Sequence, residues 1–174
     1  LLKSLLVACV VSAVGSSAVV AQSRIYDHSK PMFFTNQAMR VGVESPGFGR
    51  GTAMVDLDND GLLDLIVTTA GGDDQFWRQT SNRDFQRMNI PWSVPATLDE
   101  SWGVLAADFD NDGDKDVYFS NGGFSPGEAN VMLRNDLNTS GKFTDISASS
   151  GACASVLSNF GGSVLDYDND GDLD

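Results

Sequence analysis

The chain has 174 residues, with 24 acidic against 11 basic side chains, a net charge of −13 and two cysteines. That charge repels phosphate backbones and anionic lipid surfaces, which excludes nucleic-acid and membrane-surface binding as first readings. The acid is not a tail: fourteen of the 24 acidic residues fall in three short, near-identical stretches, so a disordered acidic segment does not describe it.

Residues 1–21 read as a secretion signal. Lys3 is followed by an apolar stretch from Leu5 to Val20, and Val19-Val20-Ala21 offers the small residues of a cleavage site. Two alternatives stay open. One is an uncleaved anchor, although the stretch is short and rich in Ala, Ser and Gly. The other is a lipoprotein signal on Leu6-Val7-Ala8-Cys9. Once the signal is cleaved, no stable membrane span is expected. Residues 22–30 read as a linker, and His28, the only histidine, is expected to be solvated there. Cleavage leaves Cys153 as the sole cysteine, so no intrachain disulfide is possible and a small buried apolar role is expected for it.

From residue 31 to 174 the sequence repeats itself. In the first unit, strands are predicted over Gly51–Leu57, Asp64–Thr69, Gln75–Gln79 and Phe85–Ile90. In the second they fall at Val104–Phe109, Asp116–Ser120, Asn130–Arg134 and Phe143–Ser147, and a third unit opens with Gly162–Tyr167. The first two strands of each unit are short, nearly continuous apolar runs bounded by glycine and Asp-Gly turns, the pattern of inner strands buried on both sides. The fourth is more polar, as an outer strand should be. No stretch shows a convincing helical period with caps. The class is therefore all-β, with four antiparallel strands per unit of about 50 residues, the blade of a β-propeller. About three such blades cannot close a ring of four to eight, so a fragment continuing past the C-terminus is expected.

A nine-residue stretch joins the first and second strands of each unit. Asp56-Leu57-Asp58-Asn59-Asp60-Gly61-Leu62-Leu63-Asp64 recurs at Asp108 to Asp116 and again at Asp166 to Asp174, with starts 52 and 58 residues apart. Phe34, Phe85 and Phe143 keep phase, standing 22, 23 and 23 residues ahead of the three loops. A hard cation such as calcium takes six to eight oxygen ligands at about 2.3–2.6 Å, and this pattern supplies them. The ligands predicted are the carboxylates at positions 1, 3, 5 and 9: Asp56, Asp58, Asp60 and Asp64; Asp108, Asp110, Asp112 and Asp116; Asp166, Asp168, Asp170 and Asp174. Position 7 adds a backbone carbonyl, from Leu62, Asp114 or Asp172, and the glycine at position 6 permits the sharp turn. Position 2 (Leu57, Phe109 or Tyr167) is expected to pack into the blade. Histidine and cysteine are absent from all three loops, which argues against zinc or copper. Magnesium keeps its waters and suits such a cage less well. Solvated Asn-Asp-Gly turns would explain one copy, but not four aspartates held in register three times. Position 12 is Val67 or Phe119, not the Glu that an EF-hand requires.

These residues resemble the FG-GAP (VCBS) repeat of integrin-α-like β-propellers. Phe48-Gly49, Trp102-Gly103 and Phe160-Gly161 correspond to its "FG", and Gly51-Thr52-Ala53 and Gly162-Ser163-Val164 correspond weakly to its "GAP". The phrase from Val131-Met132-Leu133-Arg134-Asn135 to Phe143-Thr144-Asp145-Ile146 is similar to exported proteins of the cartilage-acidic-protein group. The resemblance implies a propeller of seven or eight blades with one Ca2+ in each loop between strands 1 and 2. It also implies a protein or carbohydrate ligand on the opposite face, where the candidate contact loops are 70–74, 121–128, 43–49, 93–101 and 149–158.

Two functional readings follow. The first is a non-catalytic, calcium-stabilised scaffold for adhesion or recognition. The alternative is the propeller domain of an extracellular carbohydrate-active enzyme, a lyase or hydrolase, whose active site lies elsewhere. The sequence offers no Ser-His pair, nucleophile elbow or phosphate-cradling loop. Asp73-Asp74 and Asp99-Glu100 are expected to be solvated acid pairs, and Trp77, Trp92 and Trp102 blade-packing aromatics rather than a sugar platform. Asn138-Thr139-Ser140 is a glycosylation sequon.

Overall fold

A computed structural model describes residues 35–43, 48–80, 84–89, 101–122, 128–153 and 158–173. The expected signal and linker, His28, Trp92, Asp99-Glu100 and Asp174 lie outside the described residues. Among the described residues, eight strands form two four-stranded sheets. The first contains β1 (Phe48–Val55), β2 (Asp64–Ala70), β3 (Gln75–Gln79) and β4 (Phe85–Arg87). The second contains β5 (Ser101–Ala107), β6 (Asp116–Asn121), β7 (Val131–Asp136) and β8 (Lys142–Asp145). Each sheet runs in sequence order and is antiparallel throughout. These are the two propeller blades that the repeat predicts.

The two sheets share one core. Ile66 and Phe76 of the first sheet and Val104, Val117, Phe119, Leu133 and Phe143 of the second are buried together, with Val55 and Leu57. Phe76 meets Phe119 edge-on with ring centroids 6.2 Å apart and tilts against Phe143 at 5.6 Å. Such pairs add about 0.5–1.5 kcal/mol each beyond their burial. The aromatic that keeps phase with the loops thus serves as a contact between blades.

The registers of the two blades coincide. β1 and β5 both slip against their partners at one place, between Gly49 and Thr52 and between Ser101 and Gly103. Gly51 and Gly103 sit at these irregularities, where the next repeat comes close. A Cβ on Gly51 would lie 2.7 Å from the Trp102 carbonyl oxygen, and one on Gly103 would lie 2.9 Å from Gly161 Cα and 3.0 Å from the Phe160 carbonyl oxygen. The Thr68 hydroxyl accepts the Gly51 N–H at 2.7 Å and reaches across the first of these seams to the Trp102 carbonyl at 3.4 Å. Gly51, Gly103 and Gly161 each stand five residues before a loop, so they are the equivalent glycines. Phe48-Gly49 stands two residues upstream of that phase, and Arg50 is the counterpart of Trp102 and Phe160. The Arg50 guanidinium lies 3.9 Å from the Trp102 ring centre, and Trp102 meets Phe160 edge-on at 4.9 Å.

Several expectations differ from the fold. Burial on both sides holds for β2 and β6 but not for β1, where Phe48 is 83% and Met54 57% exposed. β1 is the edge strand of its sheet, and among the described residues β5 covers only part of it. Residues 162–167 form no strand; a strand needs a ladder partner, and the counterpart of β2 and β6 would start at Asp174. Tyr167 is 80% exposed instead of packed, whereas Leu57 at the same loop position is fully buried. Three one-turn helices were not anticipated: α1 (Ala38–Val41), α2 (Leu137–Ser140) and α3 (Ser147–Ser150). Each ends on a left-handed glycine: Gly42, Gly141 and Gly151 respectively. One turn carries no periodicity to read, and that terminal glycine is its only sequence signal.

Candidate metal centre

The loop between the first two strands of a blade is curled by its own side chains. The position-1 carboxylate accepts backbone N–H groups from across the turn. Asp56 takes those of Asp60 at 3.1 Å and Gly61 at 2.8 Å, Asp108 takes that of Gly113 at 3.0 Å, and Asp166 takes those of Asp170 at 3.2 Å and Gly171 at 3.1 Å. Position 5 then accepts the N–H of position 7: Asp60 from Leu62, Asp112 from Asp114 and Asp170 from Asp172, at 2.8–3.0 Å. Two residues per loop are left-handed. Gly61, Gly113 and Gly171 have φ of 85°, 97° and 97°, as expected at position 6. Position 4 is the second, with φ of 57° at Asn59, 58° at Asn111 and 59° at Asn169. Asparagine is among the few non-glycine residues that adopt this conformation readily, which explains its presence in all three copies.

Position 9 ties the loop to the third strand of its blade. Asp64 opens β2 and is fully buried; it accepts Leu57 N–H at 3.2 Å and, from β3, Gln79 N–H at 2.8 Å. Asp116 opens β6 and does the same with Phe109 N–H at 3.2 Å and, from β7, Asn135 N–H at 2.8 Å. Burial raises both carboxyl pKa values above the usual range. The backbone N–H groups hold them back in part, and the neighbouring carboxylates, Asp60 and Asp56 or Asp110 and Asp112, push them further up. A divalent cation removes that last contribution.

Among the described residues, three carboxylates converge in each loop rather than the four expected, and the set differs between the first loop and the other two. Asp56, Asp58 and Asp64 each bring an oxygen within 4.8 Å of the others, as do Asp108, Asp110 and Asp112, and Asp166, Asp168 and Asp170. The first loop thus gathers positions 1, 3 and 9, and the other two gather 1, 3 and 5. Asp60 and Asp116 stand outside these triads, held by the hydrogen bonds above. Two oxygens on one calcium ion, each about 2.3–2.6 Å away, are at most about 5 Å apart, so all three triads fit. A further observation supports the fit. The Asp58 side chain is only 8% exposed, and its Oδ1 is buried without a hydrogen-bond partner; Asp108 Oδ1 is buried in the same state. An orphaned carboxylate oxygen is costly unless an ion satisfies it. The donor set is oxygen alone, which selects a hard cation.

Basic side chains contribute at the rim. Arg78 on β3 pairs with Asp58, and Lys115 approaches Asp108 at 3.6 Å. Arg134, the equivalent of Arg78 on β7, turns instead to Asp136, at 3.1 Å and 3.2 Å through two nitrogens.

Sequence reasoning missed the contacts that join one loop to the next. Asn59 donates its side-chain N–H to Asp114 Oδ1 at 2.6 Å, and Asn111 donates to Asp172 Oδ1 at 2.7 Å. Asn135, fully buried, donates to the Leu57 carbonyl of the first loop at 2.8 Å and to the Lys115 carbonyl of the second at 3.0 Å. Asp114 and Asp172 therefore have side-chain duties beyond the backbone carbonyl assigned to position 7. The recurrence of Asn at position 4 was the available signal.

Other candidates sort as follows. Asp73 is exposed, but Asp74 is buried, accepting Thr69 N–H at 2.9 Å, so the pair is not a solvated face. Trp77 is buried and Trp102 lies in the stack between Arg50 and Phe160. Cys153 is buried, and burial raises its thiol pKa. Asn138 is exposed on α2 and donates to Asp114 Oδ1 at 3.0 Å. Of the contact loops, 70–74 is described in full, the others only in part.

The model of the FG-GAP-like repeat family matches residues 56–119, which runs from the first loop to the end of the second loop and into β6. Over 147 residues, 81% of this chain, the sequence is 31% identical to cartilage acidic protein 1 of Mus musculus and 30% identical to that of Homo sapiens. The chain spans 22% of the length of these relatives.

Proposed function

We propose that this chain, which carries FG-GAP-like repeats, belongs to an exported interaction scaffold whose blades are held in shape by calcium in the loops between their first and second strands. The observation that carries the reading is the Asp58 carboxylate, buried, with one oxygen orphaned and two further carboxylates within 4.8 Å. Carboxylate triads recur in the other two loops, there from positions 1, 3 and 5, and Asp108 of the second loop also carries an orphaned buried oxygen. Asp56, Asp58 and Asp64, Asp108, Asp110 and Asp112, and Asp166, Asp168 and Asp170 hold the ions, and Asp60, Asp116 and Asp172 shape the loops around them. Bound calcium supplies charge neutralisation: three ions change the net charge from −13 to about −7. With a single cysteine after the expected cleavage, these ions serve where other exported domains use disulfides.

The partner surface is assigned to the opposite ends of the strands, where connections 2–3 and 4–1 emerge, for a protein or carbohydrate ligand. Export rests on the expected signal. Among the described residues no helix is long and apolar enough to cross a membrane.

The test is chelation of the full-length protein. Removal of calcium should lower the melting temperature by several degrees, and calcium at about 10⁻⁴–10⁻³ M should restore it. An unchanged melting temperature would remove the stabilising role.

A further inference from the structure

The three loops are not independent. We infer that the position-4 asparagines couple neighbouring calcium sites, so that filling one loop raises the affinity of the next. This rests on the calcium reading above and goes beyond it.

Position 4 lies between two carboxylates that shape its own loop. Asn59 is flanked by Asp58, a member of the first triad, and by Asp60, which accepts Leu62 N–H at 2.8 Å. An ion that fixes Asp58 therefore fixes Asn59, whose left-handed backbone, φ 57°, sends the side-chain amide out of its own loop. The amide ends 2.6 Å from Asp114 Oδ1, at position 7 of the second loop. The same contact recurs one repeat on: Asn111, φ 58°, reaches Asp172 Oδ1 of the third loop at 2.7 Å. Two copies of one geometry across seams of 52 and 58 residues make an accidental surface contact a poor explanation.

The acceptor is well placed to matter. Asp114 N–H is bonded to Asp112 Oδ1 at 2.9 Å, and Asp112 belongs to the second triad. Holding the Asp114 side chain from outside thus restrains the backbone that positions a ligand of the second ion. Ordering the first loop accomplishes part of the ordering of the second, which is positive coupling without a change of fold. The contact runs from each loop to the next in sequence, and Leu62, at position 7 of the first loop, has no carboxylate to accept such a bond. Asn135 adds a bridge between the first and second loops, through the Leu57 and Lys115 carbonyls.

Hydrogen exchange of the full-length protein, followed by mass spectrometry over a calcium titration, reads each loop separately through its own peptides. Asn59→Gly keeps the left-handed backbone and removes the amide; Asp114→Ala removes the acceptor and keeps the carbonyl. Each should move the calcium midpoint of both the first and second loops upward by about fivefold, since coupling is reciprocal, and the double variant should be no worse than the single variants. A second-loop midpoint unmoved by Asn59→Gly, or shifts that multiply in the double variant, would overturn the coupling while leaving the sites intact. If calcium protects none of the loop peptides, the calcium reading fails and the coupling with it.

Discussion

Asp74 and Asn130 occupy the same place in successive blades, just before the third strand. Asp74 Oδ1 accepts the Thr69 N–H and Asn130 Oδ1 accepts the Asn121 N–H, both at 2.9 Å. Asn130 also donates to the Tyr118 hydroxyl at 2.7 Å and accepts Asn159 Nδ2–H at 3.2 Å. An ionised carboxylate can accept but not donate, so the first blade carries a buried acid where the second carries a neutral amide. Burial raises the Asp74 pKa to about 6; the Ser101 hydroxyl and Thr69 N–H resist this rise, and Asp73 adds to it.

The sign of the pH effect follows. The unfolded carboxyl titrates near 3.8 and the folded one near 6, so between those values the folded state binds more protons and stability falls as pH rises. The Asp74 contribution is largest below about pH 4 and is lost above about pH 6, a difference of about 3 kcal/mol. Asp74→Asn should stabilise the protein at pH 7.5 by a substantial part of that amount and flatten the profile. Urea unfolding of both proteins at pH 5 and pH 7.5 measures it; equal profiles would show that the acid is not desolvated.

Asp64 gives calcium binding at the first loop its own pH dependence. Its raised pKa means that protons compete with the ion there at a higher pH than at an ordinary aspartate. Calcium affinity, followed by calorimetry from pH 7.5 downward, should weaken before the usual carboxylate range is reached. Asp64→Asn should weaken the first site at neutral pH and reduce its sensitivity to acid.

Asn135→Ala should cost about 2–4 kcal/mol. It strips partners from the buried Leu57 carbonyl, from the half-buried Lys115 carbonyl and from the Leu137 N–H, which Asn135 Oδ1 accepts at 3.0 Å. Equilibrium unfolding is the measurement, and a loss below about 0.5 kcal/mol, the range of ordinary surface changes, would contradict the bridge.

Gly103→Ala should destabilise by about 1–3 kcal/mol through overpacking, because its Cβ would meet the backbone of the next repeat at 2.9 Å. Gly72→Ala is the control. Its Cβ would make one ordinary contact, 3.8 Å from Thr69 Cγ2, and thermal melting should barely change.

The blades were legible in the sequence because each strand is a separate apolar run with its own turn residues: β3 begins and ends where expected, and β2 and β6 overrun by one residue. That carboxylates at alternate loop positions would turn toward one centre was legible because position along a tight loop fixes direction, but which three gather in each loop was not. The relations between repeats were hidden. The bond from Asn59 to Asp114 joins residues 55 apart and that from Asn135 to Leu57 spans 78, distances over which composition and periodicity are silent. The phase of the glycines was obscured by spelling, since Phe48-Gly49 matches the motif, but the count of five residues to each loop and the approach of the Trp102 carbonyl both select Gly51. Asp74 looked like half of an exposed pair because sequence does not reveal which of two adjacent side chains turns inward.

The glycine seam carries one more consequence. Phe85 to Gly103 and Phe143 to Gly161 are both 18 residues, although the two repeats differ by six in total length. The extra six fall between the second and third strands and between the third and fourth, within a single blade. The stretch from outer strand to next inner strand, 17 residues from Phe34 to Gly51 and 18 in the next two copies, therefore acts as a ruler of nearly constant length that sets the pitch from blade to blade. Growth and loss of residues are left to connections that never cross a seam, so the repeats can drift in size while their spacing is preserved.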